Sequence, residues 1–254
     1  MEELGTQAFW LGLATIVGLN IVLSGDNAVV IALAARSLPP RQQRRAIFWG
    51  AGAAVVLRIA LTVFAVALLK LPWLKLAGGL LLFWIGIKLM VPGDGDGEVA
   101  AGDSMASAIR TILIADLVMS LDNVIAVAAA AAGSLALLIL GLAISIPLVV
   151  FGATLLVRLM ERYPMVITLG AALIGMVAGQ MLVTDAALLG WMDAHLAAVR
   201  VAEGGAKVAG WRLELLAGAA GAALVVAWGT WLARRREASG RRGRSDAGTQ
   251  TPNS

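Results

Sequence analysis

The chain contains no cysteine and a single histidine, His195. The first absence excludes disulfides, iron–sulfur clusters and thiolate metal sites. The second argues against a zinc or copper centre built from imidazoles. Charge is scarce as well: 14% of the 254 residues are Asp, Glu, Lys or Arg, against about 25% in a soluble domain. Also missing are HExxH, a phosphate-binding loop and any nucleophile–base pairing, so the sequence does not read as an enzyme. What fills the space is apolar: 60% of residues are hydrophobic and the mean hydropathy is +0.87. These proportions describe an integral membrane protein.

A membrane-spanning helix needs about 20 mostly apolar residues. Seven segments meet that requirement, near residues 8–35, 46–69, 73–91, 106–132, 135–157, 165–183 and 211–233. They are too long and too rich in Ala, Leu and Gly for the alternating pattern of a barrel strand. The expected fold is therefore all-α, with one transmembrane domain over residues 1–235. The N-terminus is acidic and lacks the basic region of a cleaved signal peptide, so the first span is expected to be retained.

The pI of about 10.1 does not indicate nucleic-acid binding, because the basic residues sit between apolar runs and in the tail. Arg36, Arg41, Arg44, Arg45, Arg158 and Arg162, together with Arg234, Arg235, Arg236, Arg241, Arg242 and Arg244, all fall on one side of a seven-span chain. Positive charge concentrates on the cytoplasmic side. The expected placement is thus a multi-pass protein of the cytoplasmic membrane, N-terminus outside and C-terminus inside. Trp10, Trp49, Trp73, Trp191, Trp211 and Trp231 lie near span ends, where indoles favour the interface. Residues 92–105 read as a flexible acidic linker, residues 184–210 as an outside segment with room for a short interfacial helix, and residues 236–254 as a disordered cytoplasmic tail. Asp94, Asp96 and Glu98 in the linker lack the glycine and distal glutamate of a calcium loop.

The informative polar residues lie inside the spans. Asn20-Ile-Val-Leu-Ser24-Gly25-Asp26-Asn27 is matched without a gap by Asp116-Leu-Val-Met-Ser120-Leu121-Asp122-Asn123. Glycines in the third and sixth spans (Gly78, Gly79 and Gly86; Gly170, Gly175 and Gly179) also correspond. With three spans per unit, the first and fourth run in opposite directions. The reading is two inverted repeats, about 8–91 and 106–183, plus an extra helix at about 211–233, an architecture common among secondary transporters.

Positions i, i+4 and i+7 share a helix face, which groups Asn20, Ser24 and Asn27 on one stripe and Asp116, Ser120 and Asn123 on another. Adjacent residues diverge by about 100°, so Asp26 and Asn27 cannot both address one small ion from an ideal helix. A break near Gly25 is expected. Leu121 at the equivalent place makes a second break less secure.

A transmembrane aspartate costs about 2.5–3.5 kcal/mol at a helix centre. Asp26, Asp116 and Asp122 face a single deep base, Arg58. Once Arg58 neutralises one acid, two negative charges remain, which a divalent cation or two protons would balance. Carboxylate, carboxamide and carbonyl oxygens suit hard ions, with Mn²⁺ and Ca²⁺ easier to accommodate than slowly dehydrating Mg²⁺. Protonated aspartates that only bond the helices together are the alternative. Arg58 has two readings, a structural counter-ion or a mobile gate. The GxxxG pair Gly175/Gly179 could support dimerisation, but tight packing within one chain is the simpler use; the sequence does not set the oligomeric state.

The paired motifs, Gly25–Arg36 and Asp116–Val127, resemble those of the TerC family of bacterial membrane proteins, and Gly78–Lys88 and Gly179–Asp185 are similar to its YjbE-like branch. The resemblance covers roughly residues 8–235. It implies a seven-helix member of the LysE-like transporter superfamily, active in manganese efflux, in which Asp26, Asn27, Asp122 and Asn123 correspond to the metal-site residues. The expectation is a secondary transporter for Mn²⁺, with no resident cofactor. Asn20, Ser24, Gly25, Arg58, Asp116 and Ser120 would support the site or couple it to protons. Export of calcium or of another superfamily substrate, or a membrane scaffold linked to metal or tellurite stress, remain alternatives.

Overall fold

The computed structural model describes residues 7–23, 25–68, 71–91, 101–131, 134–196, 199–202, 205–208 and 211–248. Nine helices and one small sheet lie among them: α1 (Gln7–Leu23), α2 (Gly25–Ala35), α3 (Pro40–Leu68), α4 (Leu74–Met90), α5 (Ala101–Ala131), α6 (Leu135–Arg162), α7 (Met165–Val183), α8 (Ala186–His195), β1 (Val199–Ala202), β2 (Gly205–Val208), β3 (Trp211–Arg212) and α9 (Leu213–Gly248). Helices occupy all the places where spans are expected. By length and composition, four of them (within α3, α6, α7 and α9) are able to cross a membrane, and the bent pair α1–α2 makes a fifth. The outward surface is apolar, as a lipid-facing surface must be: Phe64, Leu80, Phe151 and Leu169 are all more than half exposed.

Local chemistry explains several boundaries. Pro40 opens α3, where its missing N–H is no loss. Ser134 caps α6 by accepting from the Leu137 amide, and Asp185 caps α8 by accepting from the Ala187 and Leu188 amides. The other oxygen of Asp185 accepts from Leu76 N in the first turn of α4 at 3.3 Å. One buried carboxylate thereby satisfies the starts of two helices, which would otherwise leave orphan donors.

Three packing relations organise the bundle. α3 lies along α5, α1 and α2 lie along α6, and α7 is held between α4 and α9. The last of these is a backbone-to-backbone contact. A Cβ at Gly175 would strike the Gly221 carbonyl, and one at Gly179 the Ala217 carbonyl, both on α9. The GxxxG face is therefore covered by the chain's own last helix.

Some elements differ from expectation. The three short strands form an antiparallel sheet in the order β1-β2-β3, beside α8 in the segment where only a short helix is expected. Residues 101–105 belong to α5 and not to a flexible linker, while residues 92–100, with Asp94, Asp96 and Glu98, fall outside the described residues. α9 runs to Gly248, so residues 236–248 are helical where a disordered tail is expected. Ala, Glu and Arg are strong helix formers, and extending an existing helix avoids the cost of nucleation. Residues 249–254 are outside the described set.

The close approach of α7 to α9 leads to a prediction. Gly179→Ala is expected to destabilise the protein by about 1–3 kcal/mol through overpacking. Gly18→Ala, on an open helix face with nothing near the added methyl, should be neutral or gain up to about 1 kcal/mol. Thermal unfolding of the purified variants in one detergent distinguishes the two; equal midpoints would contradict the packing account.

Candidate functional site

The first polar motif straddles a break in the chain. α1 ends at Leu23 and α2 starts at Gly25, and the axes of Phe9–Asn20 and Gly25–Ala35 differ by 48°. Gly25 is exposed at the start of α2, and no atom lies within 4 Å of where a Cβ would stand. The bend falls before Asp26 and Asn27, which both lie in the first turn of α2 and so still diverge by about 100°. The second motif is different: α5 continues as helix from Ala101 to Ala131 through Leu121, so the two halves are not equivalent.

Around the bend the structure assembles a buried network centred on Arg58 of α3. Its Nε donates to Ser120 Oγ at 2.9 Å, one terminal nitrogen donates to Asn20 Oδ1 at 2.7 Å, and the other reaches Asp116 Oδ1 at 2.5 Å. Ser120 Oγ in turn donates to Asp116 Oδ2 at 3.2 Å. All four side chains are at most 5% exposed. Arg58 thus joins Asn20 of the first motif to Asp116, the residue at the matching position of the second. Its planar fork of donors suits this three-way contact, which a lysine's single ammonium would not reproduce. Thr62 Oγ1, one turn on, donates to the Arg58 carbonyl at 2.7 Å.

Asp26 and Asn27 lie just beyond the bend. Asp26 is half-buried, Oδ1 accepts from the Asn27 amide at 2.8 Å, and its carboxylate is within electrostatic reach of both Arg58 and Asp116. Asn27 is 3% exposed, and neither its Oδ1 nor its Nδ2 has a hydrogen-bond partner among the described residues. A buried carboxamide without partners costs about 1–3 kcal/mol per unsatisfied group. Such groups in a native protein call for an explanation, and a ligand is one.

The structure therefore brings together Asn20, Arg58, Asp116 and Ser120, and sets Asp26 and Asn27 beside them at the break. Asn123 lies half-buried on α5 one position past Asp122 and has its own polar partner. Ser24 and the side chain of Asp122 lie outside the described residues. Among those described, no three His, Cys, Asp or Glu side chains cluster. One polar residue escaped the sequence reading: Ser145, buried in the middle of α6, donates to the Gly141 carbonyl. It lines a cavity of about 200 Å³ together with Asn20, Gly25, Ala28, Leu148, Val149 and Gly152. The available signal was a hydroxyl two residues before Pro147 in an otherwise apolar span.

A largely helical, lipid-faced chain with a buried ionic network beside a broken helix is a multi-pass integral membrane protein of the kind that includes transporters. The Integral membrane protein TerC family matches residues 5–237, and the chain belongs to that family. It is 42% identical over 187 residues to membrane protein YjbE of Bacillus subtilis, covering 74% of this chain and 86% of that protein. It is 27% identical over 190 residues to B. subtilis membrane protein YceF (71% and 74% covered). With UPF0053 inner membrane protein YgdQ of Escherichia coli K12 it shares 29% over 175 residues (62% and 73%). None of these names states a substrate. No solved structure matches the chain.

The buried pair yields a prediction. Arg58→Met alone leaves Asp116 charged and unpaired, which is expected to cost about 3–5 kcal/mol. The double variant Arg58→Met/Asp116→Leu should recover most of that loss. Expression level and thermal unfolding of both variants test this; a double variant no better than the single one would mean that Asp116 is not the main partner of Arg58.

Proposed function

We propose that this protein is a secondary transporter that exports a divalent metal cation, Mn²⁺ first among the candidates, across the cytoplasmic membrane. The observation that carries the proposal is the buried carboxamide of Asn27, which has no hydrogen-bond partner among the described residues, next to Asp26 at the helix break. Broken helices at membrane depth are where transporters commonly hold ions, with unwound backbone carbonyls as ligands. Asp26 and Asp122 are the principal ligands in this reading, and Asn27, Asn123 and local carbonyls complete the shell.

Charge balance supports a divalent ion. Arg58 is paired with Asp116, so its positive charge is accounted for and two acids, Asp26 and Asp122, are left to balance a cation. This favours Arg58 as a structural counter-ion over a mobile gate. Export against an inside-negative potential costs about 4.6 kcal/mol per 100 mV for a divalent ion, twice the single-charge figure, so export needs coupling. Proton uptake by the same aspartates is the simplest source.

The seven-span, inverted-repeat architecture belongs to this proposal, with the N-terminus outside. The helix packing supports it, because exchanging the first three spans with the next three maps the observed contacts onto one another. α3 against α5 becomes α6 against α1–α2, α4 against α5 becomes α7 against α2, and the α3–α6 and α4–α7 contacts map onto themselves.

Two predictions follow from the site. Asp26→Asn and Asp122→Asn should each raise cellular manganese and manganese sensitivity while the protein remains inserted; wild-type handling in both would rule out the ion site. Asn27→Leu removes an unsatisfied buried group of similar shape. The metal-free variant should match or exceed wild-type stability by about 1–3 kcal/mol yet lose stabilisation by added Mn²⁺ in a thermal-shift titration. An Asn27→Leu variant that is still stabilised by Mn²⁺ would remove Asn27 from the ligand set.

A further inference from the structure

The α1–α2 break poses a problem that the network around Arg58 does not solve. α2 begins at Gly25, and the first amides of any helix have no partner within it. Among the described residues the Asn27 amide is met by Asp26 Oδ1, but Gly25 itself is exposed. Within the hydrocarbon of a bilayer, non-helical backbone is tolerated only where protein buries it or water lines it. Protein does not bury Gly25. It opens instead into the cavity of about 200 Å³ between α2 and α6.

We infer that this cavity is a water-filled vestibule and that the cation reaches the break through it. Its volume holds several waters, each needing about 30 Å³. The polar group open to this space is the exposed backbone at Gly25; Asn20, whose Oδ1 accepts from Arg58, and Ser145, whose proton goes to Gly141 O, lie buried at its inner end. The remaining wall, Ala28, Leu148, Val149 and Gly152, is small or apolar and leaves the passage open. At Gly152 an added Cβ would meet only the Ala28 methyl, at 3.8 Å, so the wall has room for a side chain there. The wetness of the cavity stands on the backbone argument alone; its use as the ion's route rests on the transporter reading above.

The absence of cysteine from the chain permits a direct test. Gly152→Cys and Ala28→Cys place a thiol in the cavity, and Phe151→Cys, 68% exposed on the neighbouring face of α6, places one toward lipid. Each variant, in membrane vesicles, is treated with a charged, membrane-impermeant methanethiosulfonate reagent from each side. The thiolate, which forms in water and not in hydrocarbon, attacks the sulfenyl sulfur of the reagent, forming a disulfide and displacing methanesulfinate. The cavity thiols are expected to react about ten-fold or more faster than the Phe151→Cys control from at least one side. The attached group should also abolish Mn²⁺ flux. Cavity thiols no more reactive than the lipid-facing one overturn the vestibule. Fast labelling that leaves Mn²⁺ flux intact overturns its role as the route. If unlabelled protein carries no Mn²⁺ at all, the transporter reading fails, while the contrast in labelling rates still decides whether the cavity is wet. Two independent cavity positions keep the result readable should one variant fail to fold.

Discussion

A guanidinium held away from water must have every charge-bearing edge met, and the arrangement of this bundle depends on how Arg58 meets that condition. Its donors engage Asn20 on α1 and both Asp116 and Ser120 on α5, while its own helix, α3, lies along α5. Three helices are therefore committed to one relative position by a single side chain. Removing a partner leaves a buried charge, whereas replacing the whole pair with apolar groups need not be costly. The network is better understood as a device that specifies geometry than as a source of stability.

That geometry sets the conditions at the neighbouring break. Because Arg58 is paired with Asp116, Asp26 stands at the start of α2 with no ion-pair partner among the described residues, beside an asparagine whose carboxamide has no hydrogen-bond partner among them either. The bend of 48° sets the start of α2, with Asp26 and Asn27 in its first turn, beside that network, although the two side chains still diverge by about 100°. The second motif passes through unbroken helix. The doubled motif is thus realised differently in its two copies, with glycine at the break in one and leucine at the matching position of the other. A supporting block stands apart from these events: α4, α7 and α9 approach through glycines closely enough that backbone meets backbone.

Much of the site was legible before any coordinates. Asn20, Asp26, Asn27, Asp116 and Ser120 stand out because polar residues in apolar runs are expensive, and Gly25 marks the point where a helix can yield. The identity of Arg58's partner was not legible. Any of three acids would have balanced it, and the choice was made by the packing of α3 on α5. Asp185 reads in sequence as one more charge in an outside loop, yet it caps both α4 and α8 across a separation of more than a hundred residues. The small sheet after α8 and the extension of α9 were missed for a different reason: short or polar segments carry weak periodicity, and their state depends on what they adjoin.

By itself the sequence determined that this is a helical membrane protein and that it carries a doubled polar motif, with a glycine where the first copy can yield. Those properties follow from composition, from the period of a helix and from the cost of polar groups in hydrocarbon, all of which act locally along the chain. The tertiary structure alone decided which acid pairs with Arg58, which asparagine has no partner among the described residues, and that a cavity opens beside the break. These depend on contacts between helices distant in sequence, and a one-dimensional pattern does not encode which faces meet.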